Sequence, residues 1–396
     1  MDLNLKPEIL AGLADMGYTD LTPVQEQTFA PILSGRDLFA RAETGSGKTS
    51  ACGIPLVQMA DPKLKAVQGL ILVPTRELAL QYVTELADIA RQTDVSCFAV
   101  YGGFSMPIQR SKLEHGVHIL VATPGRLIDL LYNSPLSLGQ VTTFVLDEAD
   151  EMLNMGFVDD VEFVVSCLVH QHQTLLFSAT MPPEIKRMVE KHLRDPLYIE
   201  LNKEKLAPQN LHHHFQVVSG GQKLESLLVY LEQEQPKQAI LFCNSRTGAE
   251  KLYDDLRGKL KSVEIIHGGL EQSRRTSLFN RFKRQEIKYM IATDVASRGL
   301  DFTHVSHVIN VSFPRDRDTY THRSGRTARM GRHGIAMSFV TRGELSQVRA
   351  VLRANRIEPT WHGETPDLEA RLPKSSGGRP HGPGRGQRSH RSPRPR

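Results

Sequence analysis

Short apolar runs alternate with amphipathic segments through the first half of the chain. The runs occupy residues 37–41, 69–73, 97–100, 118–122, 144–146 and 174–177. Several are nearly continuous in apolar character, as strands covered on both faces must be. Residues 76–90 have helical spacing and follow Thr75, a predicted N-cap. This alternation predicts a parallel sheet with helices on both sides.

The alternation pauses at residues 201–210, a mainly polar stretch that contains Pro208, and then restarts. Further apolar runs lie at 214–218, 238–243, 263–266, 289–292, 307–311 and 335–340. A chain of 396 residues is longer than one hydrophobic core usually organises. The sequence therefore predicts an α/β protein with two domains of similar size, residues 1–200 and 213–345. A linker at 201–212 joins them, and a short extension at 346–370 follows.

Three consecutive histidines, residues 212–214, lie where the second domain is predicted to begin. A metal site is one interpretation of such a run. Neighbouring side chains of an extended segment point to opposite faces, so three in a row cannot converge on one ion. We therefore expect these residues to begin a strand.

The composition is that of a globular protein, with 40% apolar and 23% charged residues. No apolar run approaches the ~20 residues of a spanning helix, and the first residues lack the pattern of a secretion signal. The four cysteines lie far apart without a Cys-x-x-Cys pair, which argues against a disulfide framework or a zinc ribbon. We expect a cytoplasmic protein without a membrane segment.

Positive charge is concentrated in the last 26 residues. Residues 371–396 contain seven Arg, one Lys and no acid, which leaves residues 1–370 at −3 out of a total of +5. The same stretch has five Gly, five Pro and four Ser, so the sequence predicts a disordered basic tail. Contact with RNA or with an acidic protein is one expectation for such a tail, and a solubilising role is the alternative.

A candidate phosphate-binding loop follows the first predicted strand and precedes a helical segment. It comprises Ala42, Glu43, Thr44, Gly45, Ser46, Gly47, Lys48 and Thr49. Glycines let the backbone N–H groups converge on a phosphate. Lys48 would reach the β and γ phosphates of a nucleotide, and the Thr49 hydroxyl would hold Mg²⁺. A glycine-rich turn without function is the alternative.

An acidic cluster, Asp147-Glu148-Ala149-Asp150, follows the apolar run at 144–146. The carboxyl ends of parallel strands are where ligands bind on open α/β sheets. Asp147 can hold Mg²⁺ through water, and Glu148 can orient and deprotonate an attacking water. A helix-capping acidic turn is the other interpretation.

With the Lys48 loop, this cluster resembles the DEAD-box ATP-dependent RNA helicases, a branch of helicase superfamily 2. The resemblance covers roughly residues 3–345. Further motifs follow in the family's order: residues 74–79 (Pro-Thr-Arg-Glu-Leu-Ala), 102–103 (Gly-Gly), 123–126 (Thr-Pro-Gly-Arg), 178–180 (Ser-Ala-Thr), Gln272 with Arg275, 292–294 (Ala-Thr-Asp) through 298–301 (Arg-Gly-Leu-Asp), and 322–329 (His-Arg-Ser-Gly-Arg-Thr-Ala-Arg). The resemblance implies two tandem RecA-like parallel-sheet domains, ATP and Mg²⁺ as cofactors, RNA-stimulated ATP hydrolysis, and local unwinding of RNA or remodelling of ribonucleoproteins.

The segment around residues 17–25 looks like the family's Q motif. The resemblance implies that Gln25 reads the adenine edge and that Tyr18 stacks on the ring. Considered alone, Gln25 is only a polar position on an amphipathic helix. Leu21 stands where the family usually has Pro.

The resemblance further implies that the second domain completes the active site. Arg326 and Arg329 match the family's arginine fingers, Asp301 matches a ribose contact, and His322 matches a residue that bridges the domains. Ser178 and Thr180 are similar to a coupling motif whose hydroxyls bond the Asp147–Asp150 region. By spacing alone, the arginines also fit a solvated helix. Ala328 stands where Gly is usual, which is tolerable in a helix and costly at positive φ.

RNA would lie across the opposite ends of the two sheets. The positions that match the family's backbone contacts are Thr75, Arg76, Gly103, Thr123, Arg126, Gln272, Arg275 and Thr293. Few aromatic residues accompany them, so we expect recognition that is largely independent of base sequence. We also expect a monomer. Two other functions stay open: an ATP-dependent RNA clamp with slow turnover, and a DNA-directed superfamily 2 enzyme.

Overall fold

The first sheet is parallel throughout and is covered on both faces. In the computed structural model, residues 5–42, 46–200, 210–294, 304–328 and 332–369 are described, without the side chain of Gln272. Within them the sheet has seven strands in the order β3-β4-β2-β5-β6-β1-β7. The strands are β1 (Leu38–Arg41), β2 (Gly69–Leu72), β3 (Cys97–Val100), β4 (Ile119–Ala122), β5 (Thr143–Leu146), β6 (Gln173–Ser178) and β7 (Leu197–Glu200).

Helices on both sides of this sheet form two cores. Leu38 and Ala40 of β1 belong to one core and Phe39 to the other, which explains why the central strands are apolar without alternation. The helices are α1 (Pro7–Asp15), α2 (Pro23–Leu33), α3 (Lys48–Met59), α4 (Arg76–Ile89), α5 (Met106–Glu114), α6 (Pro124–Asn133), α7 (Ala149–Asn154), α8 (Val158–Ser166) and α9 (Pro183–His192).

The second sheet repeats the first, strand for strand. Its order is β10-β11-β9-β12-β13-β8-β14, again all parallel, so that β8 corresponds to β1 and β9 to β2. The strands are β8 (Leu211–Val217), β9 (Ala239–Cys243), β10 (Val263–Ile266), β11 (Tyr289–Thr293), β12 (His307–Asn310), β13 (Gly334–Val340) and β14 (Thr360–Trp361). The helices are α10 (Lys223–Glu234), α11 (Arg246–Leu256), α12 (Gln272–Lys283), α13 (Arg317–Ser324) and α14 (Leu345–Asn355).

These two sheets confirm the predicted fold, and every apolar run named above lies in one of their strands to within a few residues. The side chain of Thr75 caps α4 by accepting from the N–H of Leu78 at 3.2 Å. The second sheet begins at Leu211, inside the predicted linker. The segment predicted as an extension supplies α14 and the edge strand β14. The tail at 371–396 lies outside the described residues.

The histidine run at 212–214 lies in β8 and alternates in burial as predicted. His213 is buried and its Nδ1 lies 2.7 Å from the Tyr320 hydroxyl, whereas His212 is exposed and His214 half-buried. In the parts of the chain that the structure covers, no helix has the length and apolarity needed to span a membrane.

Candidate functional site

The predicted site residues lie along one edge of each sheet. All strands of the first sheet are parallel, so their carboxyl ends share an edge. Adjacent strands β5, β6 and β1 end at or just before Asp147, Ser178 and the loop of Lys48, whereas β3, β4 and β2 end before Gly103, Thr123 and Thr75. The nucleotide residues and the RNA residues thus occupy two halves of the same edge. In the first sheet, the residues predicted to contact RNA do not lie at the opposite end from the nucleotide residues, as expected, but are separated from them along the same edge.

The phosphate loop ends in a tightly packed turn at the start of α3. Gly47 has φ 94°, and a Cβ there would come within 2.8 Å of the Thr22 hydroxyl. The Lys48 ammonium donates to the Ala42 carbonyl at 3.1 Å and lies 3.6 Å from Asp147 Oδ1. Both side chains are at most 5% exposed. The positively charged Lys48 side chain is therefore held in a buried position by the Ala42 carbonyl and the Asp147 carboxylate. Glu43, Thr44 and Gly45 lie outside the described residues.

Asp147 is fixed through both of its oxygens. The Glu148 N–H donates to Oδ1 at 2.8 Å, and the Tyr82 hydroxyl donates to Oδ2 at 2.6 Å. Magnesium prefers hard oxygen ligands, so the Asp147 carboxylate and the Thr49 hydroxyl at the start of α3 are a donor set that fits it.

Glu148 occupies a strained and buried position. Its backbone is left-handed, with φ 52°, which is uncommon for a residue other than glycine and is often found at functional sites. Burial raises the pKa of its carboxyl above the ordinary 4.5, the charge of Lys48 lowers it, Asp147 raises it, and Arg326 of the second domain lowers it. Glu148 therefore senses charges from both domains, and a carboxyl with a raised pKa suits a general base.

The Ser-Ala-Thr segment at the end of β6 contacts the acidic cluster through one of its two hydroxyls. Thr180 donates to Asp150 Oδ2 from its N–H at 2.9 Å and from its hydroxyl at 2.8 Å. The Ser178 hydroxyl instead donates to the Thr180 carbonyl at 2.7 Å. Thr180 makes the predicted contact with the acidic cluster. The hydroxyl of Ser178 holds the backbone of Thr180 instead.

The Q-motif residues contact the phosphate loop and the first turn of α3. The Gln25 amide oxygen accepts from the Thr22 N–H at 2.9 Å, and the amide nitrogen donates to the Gly47 carbonyl at 3.2 Å. Gln25 is 1% exposed. The Tyr18 hydroxyl contacts the Ser50 hydroxyl on α3. In this structure Gln25 links α2 to the loop, a contact that the sequence interpretation missed.

The second domain presents arginines to the first. Arg326 is 5% exposed and lies close enough to Glu148 to lower its pKa. His322, two residues before the end of helix α13, is half-buried. Arg329 and Asp301 lie outside the described residues.

Arg323 is the centre of a buried network that the sequence interpretation did not single out. Its guanidinium pairs with Asp294 and donates to Asn244 Oδ1 at 2.7 Å, to Asn310 Oδ1 at 3.1 Å and to the Ser312 carbonyl at 2.8 Å. It also lies 5.0 Å from the centre of the Phe242 ring. These bonds join the ends of β9, β11 and β12 to the last turn of α13. Arg323 therefore holds in place the segment that contains Arg326.

The backbone of Ala328 has a positive φ, the costly alternative to the helical conformation in which alanine would be tolerated. Its φ is 57°, the left-handed region in which glycine is favoured. A Cβ on Gly334 would come within 2.5 Å of the Ala328 N, so the two backbones pack closely here. The departure from Gly at position 328 therefore strains the backbone beside Arg326.

In the first domain, the predicted RNA positions gather around one guanidinium. Arg76 lies against the Gly102–Gly103 turn, where a Cβ on Gly103 would come within 2.5 Å of it and φ is 80°. Burial, and then the like charge of Arg275, lower the pKa of Arg76. Arg126 donates to the Phe104 carbonyl at 3.0 Å beside this turn. Thr123 stands at the N-cap position of α6, just after β4.

Arg275 has a partner that the sequence interpretation did not predict. It forms an ion pair across the domains with Glu77 of α4 at 2.8 Å, with the two side chains 13% and 8% exposed. Thr293 ends β11, and Gln272 begins α12. The sequence interpretation assigned Arg275 to RNA alone, because a partner on another domain leaves no local pattern.

The repeated topology reveals further residues on the second sheet. Ser245 caps α11 after β9 as Thr75 caps α4 after β2, and Arg246 follows it as Arg76 follows Thr75. A Cβ on Gly269, after β10, would collide with the Arg246 guanidinium, as one on Gly103 would with Arg76. A sequence signal existed: a hydroxyl residue followed by Arg after one strand, and a Gly-Gly pair after the next.

A phosphate loop and an acidic strand end in one domain, faced by arginines of a second domain of the same topology, define a helicase-type nucleotide enzyme. Residues 22–188 match the DEAD/DEAH box helicase family and residues 222–331 match the helicase conserved C-terminal domain. The DEAD-box ATP-dependent RNA helicase CshA of Bacillus subtilis (strain 168) is 39% identical over 350 residues, which cover 88% of this chain and 71% of CshA. The chain belongs to the DEAD-box helicase family.

Two solved structures of RNA-bound proteins agree with this chain in fold over most of its length. Dbp5 of S. cerevisiae bound to RNA and ADP-BeF3 is 28% identical, with a TM-score of 0.83 over 91% of this chain and 94% of Dbp5. Mss116p bound to single-stranded RNA and AMP-PNP is 30% identical, with a TM-score of 0.80 over 91% of this chain and 78% of the other.

Proposed function

We propose that this chain is an ATP-dependent RNA helicase, which hydrolyses ATP with RNA stimulation and locally separates RNA strands or remodels ribonucleoproteins. The observation that carries the proposal is the buried constellation of Lys48, Asp147 and Glu148, whose electrostatics include Arg326 of the second domain. Because both domains contribute to the nucleotide site, a ligand that holds the domains together, such as RNA, can activate hydrolysis.

The roles within the nucleotide site follow from chemistry and position. Lys48 neutralises the β and γ phosphates, and the loop N–H groups bind their oxygens. Thr49 and Asp147 would hold Mg²⁺, which neutralises developing charge on the phosphates. Glu148 accepts a proton from the attacking water. Arg326 and Arg329 stabilise the transferring phosphoryl group, a contribution of about 10³–10⁵ in rate for arginines supplied across an interface.

The remaining nucleotide contacts are proposed from the matched motifs. Tyr18 and Gln25 face the base, Asp301 the ribose, and Thr180 with Asp150 and His322 connects the two domains. Gln25 bonds the Thr22 N–H and the Gly47 carbonyl, and its side chain also bonds the hydroxyl of Tyr18, whose pKa is raised by burial and lowered by this bond. Its adenine contact is therefore proposed from the matched motif alone.

RNA is proposed to bind along the other half of the carboxyl edge, on both sheets. The relatives whose structures are named above are bound to RNA. Glycines let the RNA backbone approach closely, while hydroxyls and guanidinium groups reach phosphates and 2′-OH groups. We add Ser245, Arg246 and Gly269 to the predicted set, because they repeat the geometry of Thr75, Arg76 and Gly103. Recognition through the backbone is largely independent of sequence. A cytoplasmic monomer whose basic tail adds RNA contact completes the proposal.

Steady-state ATP hydrolysis by the full chain tests this function. Rates are measured without nucleic acid, with poly-RNA, and with single-stranded DNA of matched length. We expect strong stimulation by RNA alone, and none in Lys48→Ala, which lacks the phosphate-binding cation. Equal stimulation by DNA and RNA would instead indicate a DNA-directed enzyme. RNA binding in ATP without turnover would indicate a clamp.

A further inference from the structure

Helix α4 connects the predicted RNA-binding half of the sheet edge to the nucleotide half. Its first turn contains Arg76, which lies against the Gly102–Gly103 turn, and Glu77, which pairs with Arg275 of the second domain at 2.8 Å. The same helix packs against α3, which begins at Lys48. Helix α4 therefore contacts both the turn predicted to bind RNA and the helix that follows the phosphate loop.

Tyr82, on the second turn of α4, reaches the acidic cluster directly. Its side chain is fully buried, and its hydroxyl donates to Asp147 Oδ2 at 2.6 Å. Within the described residues, Tyr82 is the hydrogen-bond donor to that oxygen. An ordinary phenol is protonated at neutral pH, so the hydroxyl remains a donor.

Glu85, one turn further along α4, reaches the same region by a second path. The Ser50 hydroxyl on α3 donates to the Glu85 carboxylate and also contacts the Tyr18 hydroxyl. Residues 82 and 85 lie on one face of the helix, three positions apart. Two polar side chains on a face that is otherwise buried among apolar residues thus attach α4 to the nucleotide site.

We propose that Tyr82 is a positioning residue that couples RNA binding to nucleotide binding by holding the Asp147 carboxylate in register with helix α4. The inference rests on the proposed function. RNA and the second domain fix the first turn of α4, and the Tyr82 hydroxyl transmits that position to the carboxylate at the end of β5. Loss of the hydroxyl leaves Oδ2 buried without this donor, so the carboxylate turns away from its register with α4.

Tyr82→Phe removes the hydroxyl and keeps the ring. Tyr230→Phe is the matched control, since Tyr230 is also buried and its hydroxyl has no hydrogen-bond partner among the described residues. Affinity of the full chain for labelled single-stranded poly-RNA is measured with and without a non-hydrolysable ATP analogue and Mg²⁺. Affinity for the analogue is measured with and without RNA, and thermal melting verifies folding.

In Tyr82→Phe we expect unchanged RNA affinity without nucleotide, and a nucleotide-induced gain that is reduced by about tenfold, the effect of one buried hydrogen bond to a charged group. Thermodynamic reciprocity requires the same reduction in the RNA-induced gain for the analogue. A merely structural role would lower the melting temperature and leave both gains intact. If RNA and the ATP analogue strengthen each other's binding equally in the wild type and in Tyr82→Phe, the proposed role of Tyr82 is wrong and the proposed function stands. If neither strengthens the other in the wild type, both the role of Tyr82 and the proposed function are wrong.

Discussion

The ion pair between Glu77 and Arg275 should control closure of the two domains. It joins α4 of the first domain to α12 of the second at 2.8 Å, and both side chains are nearly buried. Glu77→Gln and Arg275→Gln each remove one charge while keeping a polar side chain of similar length. When the domains separate, both partners return to water, so the loss falls on the closed form alone.

The size of the effect follows from burial and geometry. A hydrogen bond to a charged group contributes about 1.5–3 kcal/mol, and at 8–13% exposure solvent screening is limited. A loss of about 2 kcal/mol from the closed form corresponds to a roughly 30-fold weaker RNA affinity in the presence of an ATP analogue. In Glu77→Gln, whose residue is outside the proposed RNA-binding set, RNA affinity without nucleotide should change much less, because closure contributes little to it.

Fluorescence anisotropy of labelled RNA, with and without the analogue, measures both affinities, and a donor–acceptor dye pair on the two domains reports closure. The double variant completes a cycle, and because the two residues form one interaction it should be no worse than either single change. Arg187→Gln is the control, since Arg187 pairs with Glu184 on the surface at 3.0 Å with 71% and 45% exposure.

Two results would refute this reasoning. If Arg275 acts only by touching RNA, Arg275→Gln weakens RNA binding with and without nucleotide and Glu77→Gln does nothing. If the pair contributes nothing to closure, the dye pair reports the same distances in all variants.

Three further predictions concern single positions. Glu148→Gln should slow hydrolysis by roughly 10²–10⁴ while ATP and RNA stay bound; in the wild type the rate should fall as pH drops through the raised pKa, at a pH above 4.5, which a pH–rate profile measures. Ala328→Gly should relieve ~1–2 kcal/mol of strain at the left-handed backbone position, while the greater chain entropy of glycine in the unfolded state costs ~0.4–1 kcal/mol. Denaturant titration should therefore show a free energy of unfolding that is about 0.5–1 kcal/mol higher, and a lower value would contradict the strain argument. Arg246→Gln should weaken RNA binding and reduce the salt slope by about 0.7, as loss of one phosphate contact does, whereas Arg257→Gln at the far end of α11 should not.

The fold was predictable because the central strands are buried on both faces. Each such strand needs an apolar run, and its boundaries with polar turns are visible in the sequence. Strands β7 and β14 were missed for the converse reason: both are edge strands, Tyr198 is exposed, and β14 has two residues. A short strand at an edge needs little apolar surface, so it leaves a weak pattern.

The site was predictable where a motif follows directly from a strand end, because parallel strands bring such residues together on one edge. Lys48, Asp147 and Thr180 are of this kind. Long-range partners were not predictable: Glu77 gives no local sign that it meets Arg275, and Tyr82 occupies a position that helical spacing assigns to the core. The φ of Ala328 was open for the same reason, since close packing against Gly334 determines it.

The basic tail should strengthen RNA binding without changing catalysis. Arg371, Lys374, Arg379, Arg385, Arg388, Arg391, Arg394 and Arg396 place eight positive charges beside a remainder of −3. Single-stranded RNA binding weakens with salt at a slope of roughly −0.7 per neutralised phosphate. If half of these side chains contact RNA, deletion of residues 371–396 should flatten the log–log salt slope by about 3.

The two functions left open for the tail give opposite results in one experiment. RNA-stimulated ATP hydrolysis is measured at two salt concentrations for the full chain and for the chain ending at residue 370. Tethering of RNA predicts that the truncated chain needs more RNA for half-stimulation, with the larger difference at low salt because screening weakens the contribution of the tail. Its kcat at saturating RNA should barely change, since the deletion removes none of the proposed nucleotide-site residues. A solubilising tail predicts an unchanged RNA requirement at both salt concentrations together with aggregation of the truncated chain, and that outcome would remove the tail from the RNA-binding surface.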